Sequence, residues 1–266
     1  MITRFEEYSA NAWPSLKTLF VEGWALRFAG GYTRRANSVL PLHGGGGRLS
    51  ERVAACEALF RLEGLRPAFK MTEAAPTGLD GLLAGTGYAI EAPTVLMDLE
   101  DIAGGIASGA ADGDTPGSGT GRAGRTGLPG AEATVLERPD AEWFEAWASF
   151  SGPREADLPI ARTILANIVP ERRFLLLREQ GRPVACALVV IEGGWAGVFD
   201  VVVKPGERGR GLGRGIMRLA LEAAAAAGAR SSYLQVVSGN SPAEKLYAGL
   251  GYRPVYGYWY RTRSAS

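Results

Sequence analysis

The 266-residue chain contains one short segment twice, 164 residues apart. Residues 82–88 read LLAGTGY, and residues 246–252 read LYAGLGY. The correspondence continues upstream without gaps to a proline in each copy, Pro41 and Pro205. Between these points both halves show the same order of expected elements: a glycine-rich loop, an amphipathic helix, a strand, a short helix and a last strand. A tandem duplication is the simplest explanation, and it predicts two halves with the same fold.

The hydrophobic pattern of the C-terminal half predicts a mixed α/β structure. Apolar residues recur over 212–227 at the i, i+3, i+4 spacing of one buried helix face. Upstream, residues 174–178, 184–191 and 198–203 read as three strands joined by turns at EQGR and GG. We therefore expect each half to be a mixed central sheet flanked by helices.

The composition changes abruptly between the two halves. Residues 104–130 read GGIASGAADGDTPGSGTGRAGRTGLPG, and such a segment has too little apolar surface to offset the entropy cost of ordering it. We expect a flexible linker at 104–131, between a first domain at 1–103 and a second domain at 132–266.

Charge and composition disfavour several classes of protein. The formal net charge of +1 gives no reason to expect a nucleic-acid or acidic-membrane partner. The first residues, MITRFEEYSANAW, are acidic where a signal peptide needs an apolar run, and no apolar run is long enough to span a membrane. Cys56 and Cys186 lack metal-ligand spacing and read as reduced core thiols. We expect a cytoplasmic protein without a metal.

A glycine-rich basic loop in the C-terminal half carries the strongest chemical signal. Residues 204–215 read KPGERGRGLGRG just ahead of the expected helix, so several backbone N–H groups and the positive helix end can meet one anion. The dinucleotide-binding fingerprint G-x-G-x-x-G does not fit: counted from Gly211, its third glycine would fall at Ile216. A P-loop does not fit either, because no G-K-[ST] follows. The loop therefore predicts a phosphate site of another kind.

Two motifs in order, VVVKPGERGRGLGRG and NSPAEKLYAGLGY, resemble those of the GNAT superfamily of acyl-CoA-dependent N-acyltransferases, over about 133–263. The resemblance implies acetyl-CoA as cosubstrate, held by the backbone of a strand, by the glycine loop and by an asparagine beyond the next strand. The corresponding residues are Val201, Val202, Val203, Arg208, Gly209, Arg210, Gly211, Leu212, Gly213, Arg214 and Asn240.

The same resemblance implies that Tyr247 is the general acid. A phenol can protonate a departing thiolate, whose conjugate acid has a pKa of about 8.5. The attacking amine must be neutral, and Asp200, in the otherwise apolar strand VFDVVV, is the candidate base. The alternative is a structural Asp200, bonded to backbone or to an arginine; Glu192 and Glu171 are weaker candidates, and water can take the role.

The first half lacks the residues that would bind coenzyme A. At the offset of 164, Gly44 replaces Arg208, Pro76 replaces Asn240 and Leu83 replaces Tyr247. This arrangement is similar to that of tandem acyltransferases such as mycothiol synthase, with a degenerate N-terminal half. The stretch GWALRFAGGYTRRANSVLP further resembles the opening of a group of uncharacterised bacterial GNAT proteins.

Arginines occupy an unexpected place in the first half. By the offset, residues 34–39, RRANSV, match a strand of the second half. Arg34, Arg35 and Asn37 either face a sheet edge or the seam between the halves, or they line a cleft and bind a carboxylate or phosphate of the substrate. The C-terminal YGYWYRTR reads as a final strand with Tyr256, Tyr258 and Tyr260 on one face, or as a cofactor box.

Taken together, the sequence predicts an acetyltransferase that moves an acetyl group from acetyl-CoA to a primary amine of a small molecule or a peptide N-terminus. The rival class is a non-catalytic acyl-CoA-binding sensor or docking module. The presence of both Asn240 and Tyr247 favours the enzyme. We expect a monomer of two packed halves or a homodimer.

Overall fold

The structure is a computed structural model that describes residues 1–43, 48–110 and 130–263. These residues form eight α-helices, eleven strands and two short 3-10 helices. The helices are α1 (Ile2–Ala12), α2 (Leu49–Leu62), α3 (Leu79–Gly85), α4 (Ile102–Ala110), α5 (Ala141–Ser151), α6 (Leu158–Ala166), α7 (Leu212–Ala226) and α8 (Ser241–Ala248). The strands are β1 (Lys17–Val21), β2 (Trp24–Phe28), β3 (Val39–Leu40), β4 (Ala68–Met71), β5 (Ala89–Leu99), β6 (Ala131–Leu136), β7 (Glu171–Glu179), β8 (Arg182–Glu192), β9 (Trp195–Val203), β10 (Ser231–Val237) and β11 (Arg253–Thr262). None of the helices in these ranges is long and apolar enough to cross a membrane.

The chain divides into two compact units, each built from more than one segment. The first unit contains residues 1–96, 156–168 and 256–266, and the second contains residues 97–155 and 169–255. Strands β5 and β11 cross these boundaries, so each unit includes a part of both. The units differ from the expected domains in that helix α6 and the end of β11 belong to the first unit.

The first unit is a mixed sheet with strand order β1-β2-β3-β4-β11-β5. Strands β3 and β4 are parallel, whereas β2 pairs antiparallel with both β1 and β3, and β11 pairs antiparallel with β4. Helices α2 and α3 cover one face, where a single apolar cluster includes Trp24, Leu26, Phe60, Phe69 and Leu83. The helices supply this burial because their apolar residues fall on one side.

Strand β11 confirms the expectation of a final strand with three tyrosines on one face. Tyr256, Tyr258 and Tyr260 alternate along it and are all buried. The Tyr256 hydroxyl donates to Oε1 of Glu6 at 2.7 Å, and Lys70 Nζ lies 2.6 Å from the other oxygen of the same carboxylate. A buried charge needs such a partner, because water no longer solvates it.

The second unit is a mixed sheet with strand order β10-β9-β8-β7-β6. Strands β7 to β9 form the expected antiparallel meander, β6 pairs antiparallel with β7, and β10 pairs parallel to β9. Helix α7 packs on β7, β8 and β9 through Ile216, Leu219, Ala220, Ala223 and Ala224, the apolar face expected from the sequence. Helix α7 ends at Ala226, one residue before the predicted end at Ala227.

The structure corrects two local expectations. Residues 34–36 form a 3-10 helix, not a strand, and the strand β3 that comes next has two residues. Residues 104–110 belong to helix α4, not to a linker: Asp101 Oδ1 accepts from the backbone N–H of Ala103 at 3.0 Å, and α4 packs on α7. The rest of the expected linker, residues 111–129, lies outside the described residues.

Candidate active site

Strand β9 contains a β-bulge at the candidate catalytic aspartate. Asp200 and Val201 together oppose Ala187 of β8, and Asp200 has a φ of +48°. An extra residue of this kind increases the local twist and bends the strand that carries it. The pairing of β9 with β10 runs from Trp195 to Val198 and ends just before the bulge. Beyond it, the β10-facing backbone edge of β9 at residues 201–203 is not part of that ladder.

The carboxylate of Asp200 is half-buried on a strand next to Cys186. Burial raises the pKa of the Cys186 thiol, and the negative charge of Asp200 raises it further. Cys186 and Cys56 are both free and buried, as expected for reduced core thiols.

The glycine loop joins β9 to α7 in a series of left-handed residues. Gly206, Gly209 and Gly211 have φ values of +90°, +80° and +81°. L-residues with a side chain rarely adopt this region, whereas glycine does so without steric cost. Gly211 is the N-cap of α7, and it offers no side-chain cap to the first N–H groups of the helix. The helix therefore begins with backbone donors directed toward the loop.

Arginines of the loop differ in their partners. Nη2 of Arg210 lies 2.8 Å from Oε2 of Glu179, and its other terminal nitrogen pairs with Glu207. These two carboxylates raise the pKa of Arg210, Glu207 contributing first. Arg208 is exposed, and it has no ion pair with the described residues. Arg208 is therefore the more available of the two for an external anion.

The start of α7 lies against α8 and the end of β9. A β-carbon built on Gly213 would stand 3.3 Å from Cδ2 of Leu246 and 3.9 Å from Cγ2 of Val203. One built on Gly249, just after α8, would stand 3.2 Å from Nη2 of Arg214. The structure thus brings together three elements that carry most of the expected site residues.

The candidate asparagine is the N-cap of helix α8. Oδ1 of Asn240 accepts from the backbone N–H of Ala243 at 3.4 Å, and Glu244 accepts from the N–H of Gly239 at 3.1 Å. Asn240 is exposed. Its side chain thus caps α8 here, through a long hydrogen bond that another donor can replace.

The candidate acid Tyr247 lies near the end of α8, one residue after Leu246. Its side chain is 8% exposed, and burial raises its pKa to about 12. Its ring meets that of Tyr252 edge-on at 6.1 Å between centroids, and the Tyr252 hydroxyl is bonded to Oγ of Ser232 at 2.6 Å. Tyr247 is therefore a protonated phenol throughout the neutral pH range.

The first-half candidates have partners inside the first unit. Arg34 pairs with Glu91, and the Arg35 guanidinium lies 4.2 Å above the ring of Trp13. The amide of Asn37 is buried: Oδ1 accepts from the N–H of Gly31 at 2.9 Å, and Nδ2 donates to the carbonyl oxygen of Tyr32 at 2.7 Å. Asn37 thus holds its own loop, a role that the sequence did not predict.

The sequence matches two known protein families. Residues 136–252 match the acetyltransferase (GNAT) family, and residues 1–81 match the family described as "Probable histone acetyltransferase Rv0428c C-terminal". Residues 136–252 are a GNAT acetyltransferase domain. The match supports an acyltransferase, and the predicted family is confirmed on the half that carries the glycine loop.

Proteins similar to this chain along almost its full length include an uncharacterised N-acetyltransferase. It is YobR of Bacillus subtilis, 25% identical over 266 residues, with 98% of each chain covered. A GCN5-related N-acetyltransferase from Kribbella flavida shares the fold, with a TM-score of 0.68, 20% identity and coverage of 99% of this chain and 96% of that one. A tandem GNAT protein from the clavulanic acid biosynthesis pathway has a TM-score of 0.65 and 16% identity, with 98% and 88% covered. The α/β fold expected for the GNAT domain is confirmed.

Sequence reasoning missed the acidic partners of the loop in the GNAT domain. Glu207 and Arg210 are three residues apart, a spacing that could have indicated the pair. Glu179 is distant in sequence and reaches Arg210 only because β7 ends near the loop. No local pattern could have indicated that contact.

Proposed function

We propose that the GNAT domain transfers an acetyl group from acetyl-CoA directly to a primary amine, on a small molecule or a peptide N-terminus. Three observations carry the proposal. Helix α7 begins without a side-chain cap after a loop of left-handed glycines, the edge of β9 at residues 201–203 does not pair with β10, and helix α8, which packs on the start of α7 through Leu246, carries the buried Tyr247. The helix start and the glycine loop suit the pyrophosphate of an acyl-CoA, and the strand edge suits its pantetheine arm. A location in the cytoplasm stays a prediction from the sequence.

The residues present fit the cosubstrate. Backbone N–H groups at the start of α7 and the loop glycines can bind the pyrophosphate, with Arg208 and Arg214 supplying positive charge. A β-carbon at Gly209 would meet nothing within 4 Å, so the loop surface is open there. The free backbone edge at Val201, Val202 and Val203 can bond the amide groups of the pantetheine arm, and Asn240 lies beyond the next strand. Acetyl-CoA supplies an activated thioester.

Tyr247 is proposed to donate a proton to the departing sulfur. The raised pKa keeps the phenol protonated at neutral pH, so the proton is available when negative charge develops on the sulfur. Burial also strengthens its interaction with that charge, because little water screens it.

Asp200 is proposed to accept the amine proton, directly or through water. The bulge holds its carboxylate half-buried at the point where the two parallel strands cease to pair. A carboxylate in this position is fixed by the backbone and lies next to the strand edge assigned to the cosubstrate. The attacking amine must be neutral, so an ammonium group must first lose a proton. A base held close to it shortens the path of that proton.

We further propose that the first unit is a degenerate copy of the same fold. The N–H of Tyr88 donates to the carbonyl oxygen of Leu83 at 3.0 Å, and that of Tyr252 donates to the one of Tyr247 at 3.1 Å. Both bonds close a helix at the same offset of 164 residues. In the first copy Leu83 takes the place of the acid and is buried in the apolar cluster. The proposal therefore implies one active site per chain.

The test is an assay of thiol release from acetyl-CoA across a panel of primary amines, with calorimetry to count coenzyme A sites. The proposal expects one site per chain and turnover with at least one amine. One site without turnover on any amine would support the rival, a non-catalytic acyl-CoA sensor. Absence of coenzyme A binding would contradict both.

A further inference from the structure

The first unit contains a cavity with basic walls, unrelated to the glycine loop. Its volume is about 310 Å³, at the lower end of the range for small-molecule sites. The cavity lies where the chain enters β3 and β4 and where β11 ends. Its charged lining residues are Arg34, Arg66, Arg263 and Glu91, a net charge of +2.

The arginines are held to different degrees. Arg34 pairs with Glu91 across the cavity wall. Arg263 donates from Nη2 to the carbonyl oxygen of Thr86 at 2.6 Å, its Nη1 lies 3.5 Å from Oε1 of Glu57, and its guanidinium lies 4.7 Å from the ring centroid of Tyr88. Both side chains are about half exposed (47%), so each still presents donors to the solvent side.

Arg66 is exposed, and it forms no ion pair with the other described residues. It comes directly after Leu65, whose N–H closes α2 by donating to the carbonyl oxygen of Phe60 at 2.9 Å, and it precedes Pro67. Its backbone position is therefore fixed, while its guanidinium is available. An available guanidinium beside two anchored ones makes a ready anion site.

Hydrogen bonds hold the loop that lines one part of the cavity. The Asn37 side chain lies there, and it bonds the backbone of the loop before β3 through both of its polar atoms. Thr33, also in the lining, has a φ of +56°, which a β-branched residue rarely adopts. Its Oγ1 accepts from Nε1 of Trp13 at 3.0 Å, which holds the loop in this conformation. Such local strain persists where surrounding contacts fix it, and it often accompanies a binding site.

We propose that this cavity binds a small molecule that carries a phosphate or carboxylate group. The anionic group contacts Arg66 and Arg263, whose guanidinium groups match its oxygens in pairs, and Arg34 with Glu91 forms the adjoining wall. A volume of about 310 Å³ suits a compact metabolite. This site belongs to the first unit and does not depend on acetyl-CoA binding in the second.

The experiment is isothermal titration of the full chain at low ionic strength with two probes, inorganic phosphate and succinate. The variants are Arg66→Gln for the cavity, Arg208→Gln for the glycine loop and Arg61→Gln as a matched control. Arg61 is an exposed arginine of α2 that does not line the cavity. Thermal melts establish that all variants fold.

At least one probe should bind the wild type, and Arg66→Gln should weaken that binding by about tenfold or more. Arg61→Gln should leave the affinity unchanged, and Arg208→Gln should leave a phosphate- or succinate-binding site in place. The probe that binds identifies the anionic group. Equal affinity in wild type and Arg66→Gln, loss of all binding in Arg208→Gln, or no binding to the wild type would each overturn the proposal.

Discussion

Gly213 at the start of α7 lies in contact with Leu246 of α8, because a β-carbon at Gly213 would stand 3.3 Å from the Leu246 methyl group. A side chain at position 213 would crowd this methyl group, which would have to shift by a few tenths of an ångström. It fixes the distance between the uncapped end of α7 and the helix that carries Tyr247. The glycine that a sequence motif assigns to phosphate binding thus also positions the proposed acid.

Changing Gly213 to valine should force α7 and α8 apart. We expect a loss of about 1–3 kcal/mol in the free energy of unfolding, typical of overpacking, together with weaker coenzyme A binding. Gly81→Val is the matched control: Gly81 lies in helix α3, and a β-carbon there would meet nothing within 4 Å. Denaturant melts and calorimetry measure both effects. Equal behaviour of the two variants would count against the contact.

Gly209→Ala should strain the loop without crowding it. Its φ of +80° costs an L-residue roughly 1–2 kcal/mol, although space for the methyl group is free. Gly228→Ala is the control, because Gly228 has a φ of +85° and equally open surroundings after α7. Both variants should lose similar stability, and coenzyme A affinity should fall in Gly209→Ala alone. Unchanged coenzyme A affinity in Gly209→Ala would show that binding does not depend on the conformation of the loop at this residue.

Arg208→Gln should weaken coenzyme A binding more than Arg210→Gln. Two carboxylates already engage Arg210, whereas Arg208 has no such partner in the described residues. We expect roughly a tenfold rise in Kd for Arg208→Gln and a smaller one for Arg210→Gln. Calorimetry at two salt concentrations measures this, since the difference should shrink as salt screens the charges. The reverse order would show that Arg210 leaves its glutamates to bind phosphate.

Asp80→Asn should destabilise the first unit, because Asp80 accepts from Nε and Nη2 of Arg261 at 2.8 and 2.7 Å. These hydrogen bonds lower the pKa of Asp80. Asp80 therefore stabilises the fold fully above its pKa in the unfolded chain, about 3.9. This stabilisation is lost as the pH falls through the lower pKa that Asp80 has in the folded protein. The carboxylate is 40% exposed, so screening limits the effect to about 1 kcal/mol.

Thermal melts from pH 7 down to pH 2 measure the role of Asp80. The wild type should lose part of its stability below about pH 4, and Asp80→Asn should lose less over the same range. Glu63→Gln is the control, since Glu63 pairs with Lys17 on an exposed surface and should change little. Identical acid profiles for wild type and Asp80→Asn would contradict the assignment.

The sequence predicted the second unit better than the first. The buried face of α7 and the meander β7–β9 are predictable from apolar spacing, which tertiary contacts reinforce there. In the first unit the repeat suggested a strand at 34–39, yet the hydrogen bonds of Asn37 hold a 3-10 turn instead. A side chain that bonds nearby backbone competes with a strand ladder, and the offset alone could not reveal this.

Long-range pairing was the other source of error. Nothing local in YGYWYRTR indicates that the residues from Tyr256 onward belong with the first unit, where Trp259 pairs with Met71 and Arg261 with Phe69. The ion pair of Arg261 with Asp80 is equally non-local. Likewise, Arg210 contacts Glu179 only because the end of β7 lies near the loop. Motif spacing indicates which residues share a loop, and it cannot show which distant carboxylates neutralise them.

Tyr247→Phe tests the proposed chemistry at a single oxygen atom. The ring and its contact with Tyr252 are retained, so folding and coenzyme A binding should change little. Turnover should fall by roughly 10²-fold, the scale of a lost general acid, and the loss should fall on kcat more than on KM. Tyr252→Phe is the control: it removes the bond to Ser232, which should cost about 1 kcal/mol of stability and leave the rate nearly unchanged.

The deciding measurement is single-turnover thiol release by Tyr247→Phe, with the enzyme in excess over acetyl-CoA and an accepted amine at a saturating concentration. A rate constant reduced about a hundredfold, with coenzyme A affinity equal to that of the wild type, is the predicted result. A rate constant equal to that of the wild type, under conditions where the chemical step limits it, would show that Tyr247 does not donate the proton.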